Sequence, residues 1–485
     1  MFRDSKRYKM RGLILIFFYF VVILSHAQDD SDALRYSQNS LGGTAKYNAM
    51  AGSFGALGGE MSALGTNPAG IGIFRKTELS ASVSVLVNTS RTTHFGNQSR
   101  DFKTHLNVPH IGLVATYNIK SQSNWKTLNF GFNYSSNTSF QSRSIAEGIN
   151  NNSSLLDLYK NQLAQDNLDP FGSELAWNTY LIDTLSNPSL DYYTAIPNYG
   201  QNQRNTVLTK GSLGETNLTF GANYNNRLYL GATLGMPSVD YTRNLVYTEE
   251  VAANDTTTDL KSFTLSENLT TTGSGVNFKV GIIYRIHDIV RVGAAVHTPS
   301  LLTLTDDWSS ALTANYKTTS LDAQSPIGQY DYTILTPMKA LGSIGFVIGK
   351  LGLLNIEYEH IDYSTARLSS SGASVYSFSA ENKNIQQKYR STGNIRTGTE
   401  WRVDKFRIRA GYAHYGNPFK NNLNDYSVQT LAFGLGYKSS GFYVDFSYSL
   451  STYQRTIYLY DAAYIEGTKQ KFALTNVNST IGFRF

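Results

Sequence analysis

The chain has 485 residues, with 42 basic and 36 acidic side chains and no cysteine. A disulfide framework, a thiolate-held zinc and a cysteine nucleophile are therefore excluded. No basic block stands out beyond the first residues, so the composition does not point to nucleic acid.

The first predicted element is a secretory signal over 1–27. Arg3, Lys6, Arg7, Lys9 and Arg11 face the single acid Asp4, an apolar run spans Gly12 to Leu24, and Ser25 and Ala27 put small residues before a cleavage site. That run is too short for a comfortable membrane span, which needs about 20 residues. Past the signal, 37 basic and 35 acidic side chains remain, so most of the apparent basicity belongs to the signal.

Residues 28–76 show no strand alternation. Leu41-Gly42-Gly43, Gly52-Ser53-Phe54-Gly55 and Leu57-Gly58-Gly59 are small-residue segments that suit close backbone packing. The expectation is a plug inside a barrel rather than a free tail.

From about residue 77 the dominant period is two, the period of a strand. Phe442, Val444, Phe446, Tyr448 and Leu450 alternate with Tyr443, Asp445, Ser447 and Ser449. Fourteen such segments are predicted near 77–88, 108–120, 125–142, 211–225, 227–248, 261–285, 288–304, 329–349, 351–368, 392–403, 405–416, 426–438, 441–460 and 470–485. Short turns such as Asn225-Asn226, His287-Asp288 and Asp404-Lys405 interleave with long connections at 143–210, 305–328 and 369–391. Within 143–210, the stretches 154–159 and 175–180 read as short amphipathic helices.

Alternation alone fits a soluble barrel or a membrane barrel. The signal, the 33 Tyr and 25 Phe, and the C-terminal Ile481, Phe483 and Phe485 favour the membrane case, with apolar side chains toward lipid. The predicted fold is an all-β transmembrane antiparallel β-barrel of about 14 strands, over 77–485, plugged by an N-terminal hatch. The predicted location is the outer membrane of a Gram-negative bacterium.

Parity puts Arg291, Glu357, Glu359, Glu400, Arg402, Arg407, Arg409, Asp445 and Arg484 opposite the aromatics, facing the lumen. They could brace the wall as ion pairs, or Arg407 or Arg409 could meet a substrate carboxylate through a planar fork. The histidines are scattered without the spacing of a metal site, which gives no support for a haem or metal cofactor. Nucleophile-elbow, phosphate-loop and dinucleotide motifs are absent, so no enzyme is predicted.

Several pieces in order resemble the FadL-type family of outer-membrane transporters for long-chain fatty acids and other hydrophobic compounds. They are Ala63-Leu64-Gly65-Thr66-Asn67-Pro68-Ala69-Gly70-Ile71, Val296-His297-Thr298-Pro299, Thr336-Pro337, the strand Asn355 to Ser364, Thr399-Glu400-Trp401-Arg402, and Arg409-Ala410-Gly411-Tyr412-Ala413. The resemblance implies passive transport of hydrophobic or amphipathic small molecules, captured by loops and held near the hatch. Asn67, Pro68, Ala69 and Gly70 would be hatch residues that shift, and release would be lateral, through a kink in an early strand. Separately, Ser479 to Phe485, with Ile481 and Phe483 on one face and a terminal Phe485, resembles the C-terminal strand that the outer-membrane assembly machinery recognises, so that machinery and outer-membrane lipid are the expected partners. A general porin and a haem-binding or surface-interaction barrel are the alternatives.

Overall fold

The alternating segments close on themselves. The computed structural model describes residues 30–38, 40–120, 122–184, 191–371, 376–420 and 424–485; the signal expected over 1–27 lies outside them. Fourteen antiparallel strands form one closed barrel. They are β1 (Glu78–His94), β2 (Asn97–Asn118), β3 (Trp125–Ser139, resuming as Ser142–Asn150), β4 (Gln201–Tyr224), β5 (Leu228–Glu250), β6 (Leu260–Arg285) and β7 (Val290–His297, then Leu301–Tyr316). The circuit continues with β8 (Gly328–Leu335, then Lys339–Ile348), β9 (Gly352–Asp362, then Arg367–Ser370), β10 (Ser391–Val403), β11 (Phe406–Tyr415), β12 (Val428–Lys438), β13 (Phe442–Ile457) and β14 (Thr468–Arg484). β14 pairs with β1 from Glu78↔Arg484 to Thr93↔Lys469, which leaves no open sheet edge at the ends of the series.

The side-chain period sorts the two faces. Ile356, Tyr358, Phe433, Phe446 and Tyr448 point outward and are exposed, while Glu357, Glu359, Ala432, Asp445 and Ser447 point inward and are buried. One rim carries the tight turns. Asn225 and Asn226 both have positive φ, which matches the hairpin twist, and Gly349 and Asp404 take the same left-handed region. The opposite rim carries the long connections.

Several strands are longer than their sequence pattern suggests, and much of the connection expected over 305–328 is strand, as Leu301–Tyr316 and Ser320–Gln324. β1 and β2 run on as a polar hairpin through 89–107, and the stretch expected as a loop over 143–210 begins and ends as strand, leaving a connection of 151–200. Ser-, Thr- and Asn-rich strand lacks an apolar face, so it carries no period-two hydrophobic signal. The connection holds α3 (Leu155–Ala164) and α4 (Ser173–Asn178), where amphipathic helices were expected.

β2 is bonded to β1 from Asn97 to Val114, but to β3 only from His110↔Ser135 to Asn118↔Thr127. Beyond Ser135 the third strand bends away, with a register shift between Ser136 and Thr138 and a break before Ser142. Side chains span the gap: from β2, Asn97 donates to the Glu147 carbonyl at 2.9 Å and Asp101 pairs with Arg143 at 3.1 Å, and from β1, Asn88 donates to the Gln141 carbonyl at 3.0 Å and Ser90 to the Arg143 carbonyl at 2.7 Å. This seam is the one place among the described residues where neighbouring barrel strands part over such a length.

Candidate functional site

Residues 30–38 and 40–74 pack against the inward face of the strands. α1 (Asp30–Arg35) sits toward the loop rim, where Lys388 of α5 (Ser379–Lys388) pairs with Asp30 at 2.9 Å. The chain then descends through Tyr36 to α2 (Ala45–Ala49), and two 3-10 turns, Ser62–Gly65 and Pro68–Ile73, lead to β1. Short helices punctuated by glycine follow from this composition, because no stretch is long enough to sustain a helix.

Asn67 organises the last turn. It caps Pro68–Ile73, its Oδ1 accepting from the Ala69 N–H at 3.1 Å, and its Nδ2 donates to the Gly55 carbonyl at 2.6 Å and reaches the Ile282 carbonyl of β6 at 3.3 Å. Gly59 N–H donates to the Gly70 carbonyl at 3.0 Å, and a Cβ on Gly58 would lie 2.6 Å from the Gly70 Cα. Asn67, Pro68, Ala69 and Gly70 are all buried, packed together against the wall.

The wall receives them through its own glycines. A Cβ on Gly231 would stand 2.3 Å from Pro68 backbone atoms, one on Gly221 2.3 Å from the Ile71 side chain, and one on Gly411 2.4 Å from the Met50 carbonyl carbon. These positions occupy the small face of the alternating strands, so the same pattern that makes a barrel leaves sockets for the segment inside it.

Around the sockets runs a chain of buried ion pairs. Glu215 meets Lys279 at 2.5 Å, and Arg396 lies between Glu357 (2.6 Å) and Glu359 (3.2 Å). Arg409 lies between Glu400 (2.7 Å) and Asp445 (2.6 Å), with Arg402 at 3.0 Å from Glu400. Glu357 also accepts from the Gly55 N–H at 2.7 Å, tying the wall to the inner segment. The sequence-predicted Glu357, Glu359, Glu400, Arg402 and Arg409 are thus brought into two clusters, while Arg407 lies beside the second near the turn without joining its ion pairs, its Nη1 on the Asp404 and Phe406 carbonyls. Arg396, Lys279 and Lys339 were missed. Parity could have found Arg396, which shares the inward phase of Glu400.

Between the inner segment and the wall lies a cavity of about 100 Å³. Asn217, Lys279, His297, Lys339, Glu359 and Arg396 line it together with Ser62 and Thr66. His297 donates from Nε2 to the Thr66 carbonyl at 2.8 Å. Lys339 makes no ion pair within 4.0 Å among the described residues. A ligand held near the hatch, as the family resemblance implies, would meet a mainly polar cavity here. Apolar surface begins at its edge, where Tyr36, Leu213 and Leu302 also line it and join a buried cluster with Tyr241, Leu304, Tyr332, Ile334, Phe378 and Tyr389.

Over the loop rim, residues 151–184 and 191–200 pack as a cap. Leu155, Leu156, Leu163, Leu175 and Ile182 join Tyr247, Phe263, Leu312 and Tyr460 in one buried cluster. Glu249, fully buried, holds the cap by accepting from Ser154 Oγ (2.7 Å), Leu155 N–H (2.8 Å), Tyr247 OH (2.6 Å) and Gln203 Nε2 (3.1 Å). Phe483 and Phe485 stand exposed beside the β1–β14 closure, with the Phe485 N–H on the Thr77 carbonyl at 3.0 Å. Among the described residues no group of three His, Asp or Glu side chains is arranged to hold a metal ion.

Neither a family model nor a curated protein sequence matches the chain. Solved structures do. A Pseudomonas aeruginosa FadL homologue aligns over 92% of this chain and 99% of its own, with a TM-score of 0.54 at 13% identity. The Pseudomonas putida toluene transporter TodX aligns over 93% and 99%, with a TM-score of 0.52 at 12% identity. Fold, and not sequence, is what survives at these identities, and the chain has the fold of the FadL-type outer-membrane transporters.

Proposed function

We propose that this chain is an outer-membrane channel for passive diffusion of hydrophobic or amphipathic small molecules, with residues 30–76 as its hatch. The observation that carries the reading is the pairing of an exposed aromatic and aliphatic exterior with a closed interior filled by the chain's own N-terminal segment. An exterior bearing Phe433, Leu435, Phe446 and Tyr448 is suited to acyl chains, not to water. The two aligned relatives, a FadL homologue and a toluene transporter, favour hydrophobic cargo.

Long-chain fatty acids fit the reading because the polar cavity abuts an apolar cluster, offering a head-group end and a tail end. Each buried methylene would contribute about 0.8 kcal/mol. In the proposed route, ligand enters past the cap, replaces apolar contacts around Tyr36, and leaves sideways at the seam between β2 and β3. There side chains close the wall: Asn97 and Asp101 of β2 hold the Glu147 carbonyl and the Arg143 guanidinium, and Asn88 and Ser90 reach across from β1. The occupied lumen disfavours a general porin.

The test is a lipid extract of the purified protein by mass spectrometry, joined to uptake into proteoliposomes of a labelled fatty acid and of toluene. Retention and faster uptake of one of them support the reading. A large steady ion conductance from the intact protein, with no accelerated uptake of either, would replace it with the porin.

A further inference from the structure

A second cavity, of about 160 Å³, lies on the tight-turn side of the inner segment, apart from the polar cavity described above. It opens between α2 and Gly59–Glu60 on one side and strands β10 to β14 and β1 on the other. Its lining is dominated by charge. Lys46, Arg402, Arg407, Arg409, Lys438 and Arg484 contribute six cations, and Glu60, Glu78, Glu400 and Asp445 four carboxylates.

Pairing uses up the acids unevenly. Glu400 and Asp445 are taken by Arg409 and Arg402, and Glu78 by Arg484 at 2.6 Å and the Tyr443 hydroxyl at 2.8 Å. Glu60 accepts from the Thr44 hydroxyl at 2.5 Å and the Ala63 N–H at 2.8 Å. Lys46, Arg407 and Lys438 are left without a carboxylate within 4.0 Å among the described residues. Lys46 has only the Gly59 carbonyl at 3.2 Å and the Phe54 ring at 5.2 Å. Enclosing an ammonium with so little counter-charge is costly. Burial accordingly pushes the Lys46 amine below its ordinary value.

We propose that this cavity is an oxyanion site, in which Lys46 and Arg407 hold a carboxylate or phosphate group on the tight-turn face of the barrel. Its volume suits a small head group rather than an acyl chain. An anion there supplies the charge that the wall withholds, and with Arg407 Nη1 held by the Asp404 and Phe406 carbonyls, its Nε and Nη2 edge offers two parallel donors. The site goes beyond the transport reading and does not depend on it.

The experiment titrates the folded, full-length protein in a neutral detergent with inorganic phosphate and, separately, with octanoate, followed by calorimetry. Heat-modifiable gel mobility checks that each variant remains a closed barrel. Saturable binding of either probe at one site per chain is expected, weakened at least about tenfold by Lys46→Met and by Arg407→Gln. Lys160→Met, on the exposed face of α3, should leave it unchanged. Octanoate alone binding assigns the site to an amphiphile's head group, and phosphate binding assigns it to free oxyanions as well. No saturable binding by the native protein, or equal binding by folded Lys46→Met and Arg407→Gln proteins, overturns the proposal.

Discussion

Asn67 occupies space that only a glycine at 281 leaves free: a Cβ on Gly281 would stand 2.0 Å from the Asn67 Oδ1. The residue that caps Pro68–Ile73 is thus seated by the absence of a side chain in β6. Gly281→Val should push this turn off the wall, since forcing extra methyl groups into packed space costs typically about 1–3 kcal/mol. The expected outcome is ion conductance in planar bilayers from an otherwise closed barrel. A variant as silent as the native protein would show that the Asn67 turn does not seal the lumen.

Arg396 tests the wall. It is buried between Glu357 and Glu359, so Arg396→Met leaves two acids without their cation. Breaking a buried pair in this way costs about 3–5 kcal/mol. Urea unfolding from lipid vesicles should show that loss, and adding Glu357→Gln and Glu359→Gln should recover much of it. A single variant as stable as the native chain would mean that the pairs do not brace the barrel.

Much of this was legible in the sequence. The fourteen-fold alternation survives because outward apolar and inward polar residues obey the same period, and Glu357, Glu359, Glu400 and Arg409 fall inside on that count alone. What escaped lacks an apolar face or depends on distance in space. The hairpin through 89–107 has only Phe95, Phe102 and Leu106 as large apolar residues, too sparse for a hydrophobic period to announce it. Lys46 and Arg407 lie 361 positions apart and line one cavity only because the N-terminal segment packs inside the strands. The glycines at 221, 231 and 281 were visible as small residues, but what each makes room for is a tertiary fact.

Glu60 gives the inner segment a pH dependence. Burial raises its carboxyl above the ordinary value of 4.5, against the opposing pull of Lys46 and Thr44. In the window above that value the folded chain keeps a proton that the unfolded chain has released. The stability contribution is therefore complete below the ordinary value and is lost as pH rises through the raised one. Urea unfolding across this range should show stability falling with pH in the native protein, and a flatter profile for Glu60→Gln. Identical slopes would assign the dependence to other groups.

Glu249 is the fastening of the cap. Replacing it with alanine strands the Leu155 N–H and the Tyr247 hydroxyl in a buried apolar setting. Each unsatisfied group costs about 1–3 kcal/mol. Limited proteolysis should cut Glu249→Ala within 151–200 while gel mobility still reports a closed barrel. Resistance equal to that of the native protein would mean that the apolar cluster alone holds the cap.

The orientation of the strands can be probed at two neighbours. Phe446 is 56% exposed on the exterior of β13, and Ser447 is 5% exposed on the interior. If the exterior meets acyl chains, an arginine at 446 must be drawn out of hydrocarbon or thin the bilayer around it, at about 2–4 kcal/mol near the midplane. Water on that face would make the same arginine nearly neutral, as for most surface substitutions, which stay within about 0.5 kcal/mol. Folding titrations into vesicles should therefore show a marked loss for Phe446→Arg and little change for Phe446→Leu. Near-native folding of Phe446→Arg would place the aromatic face in water and remove the physical basis for a membrane channel.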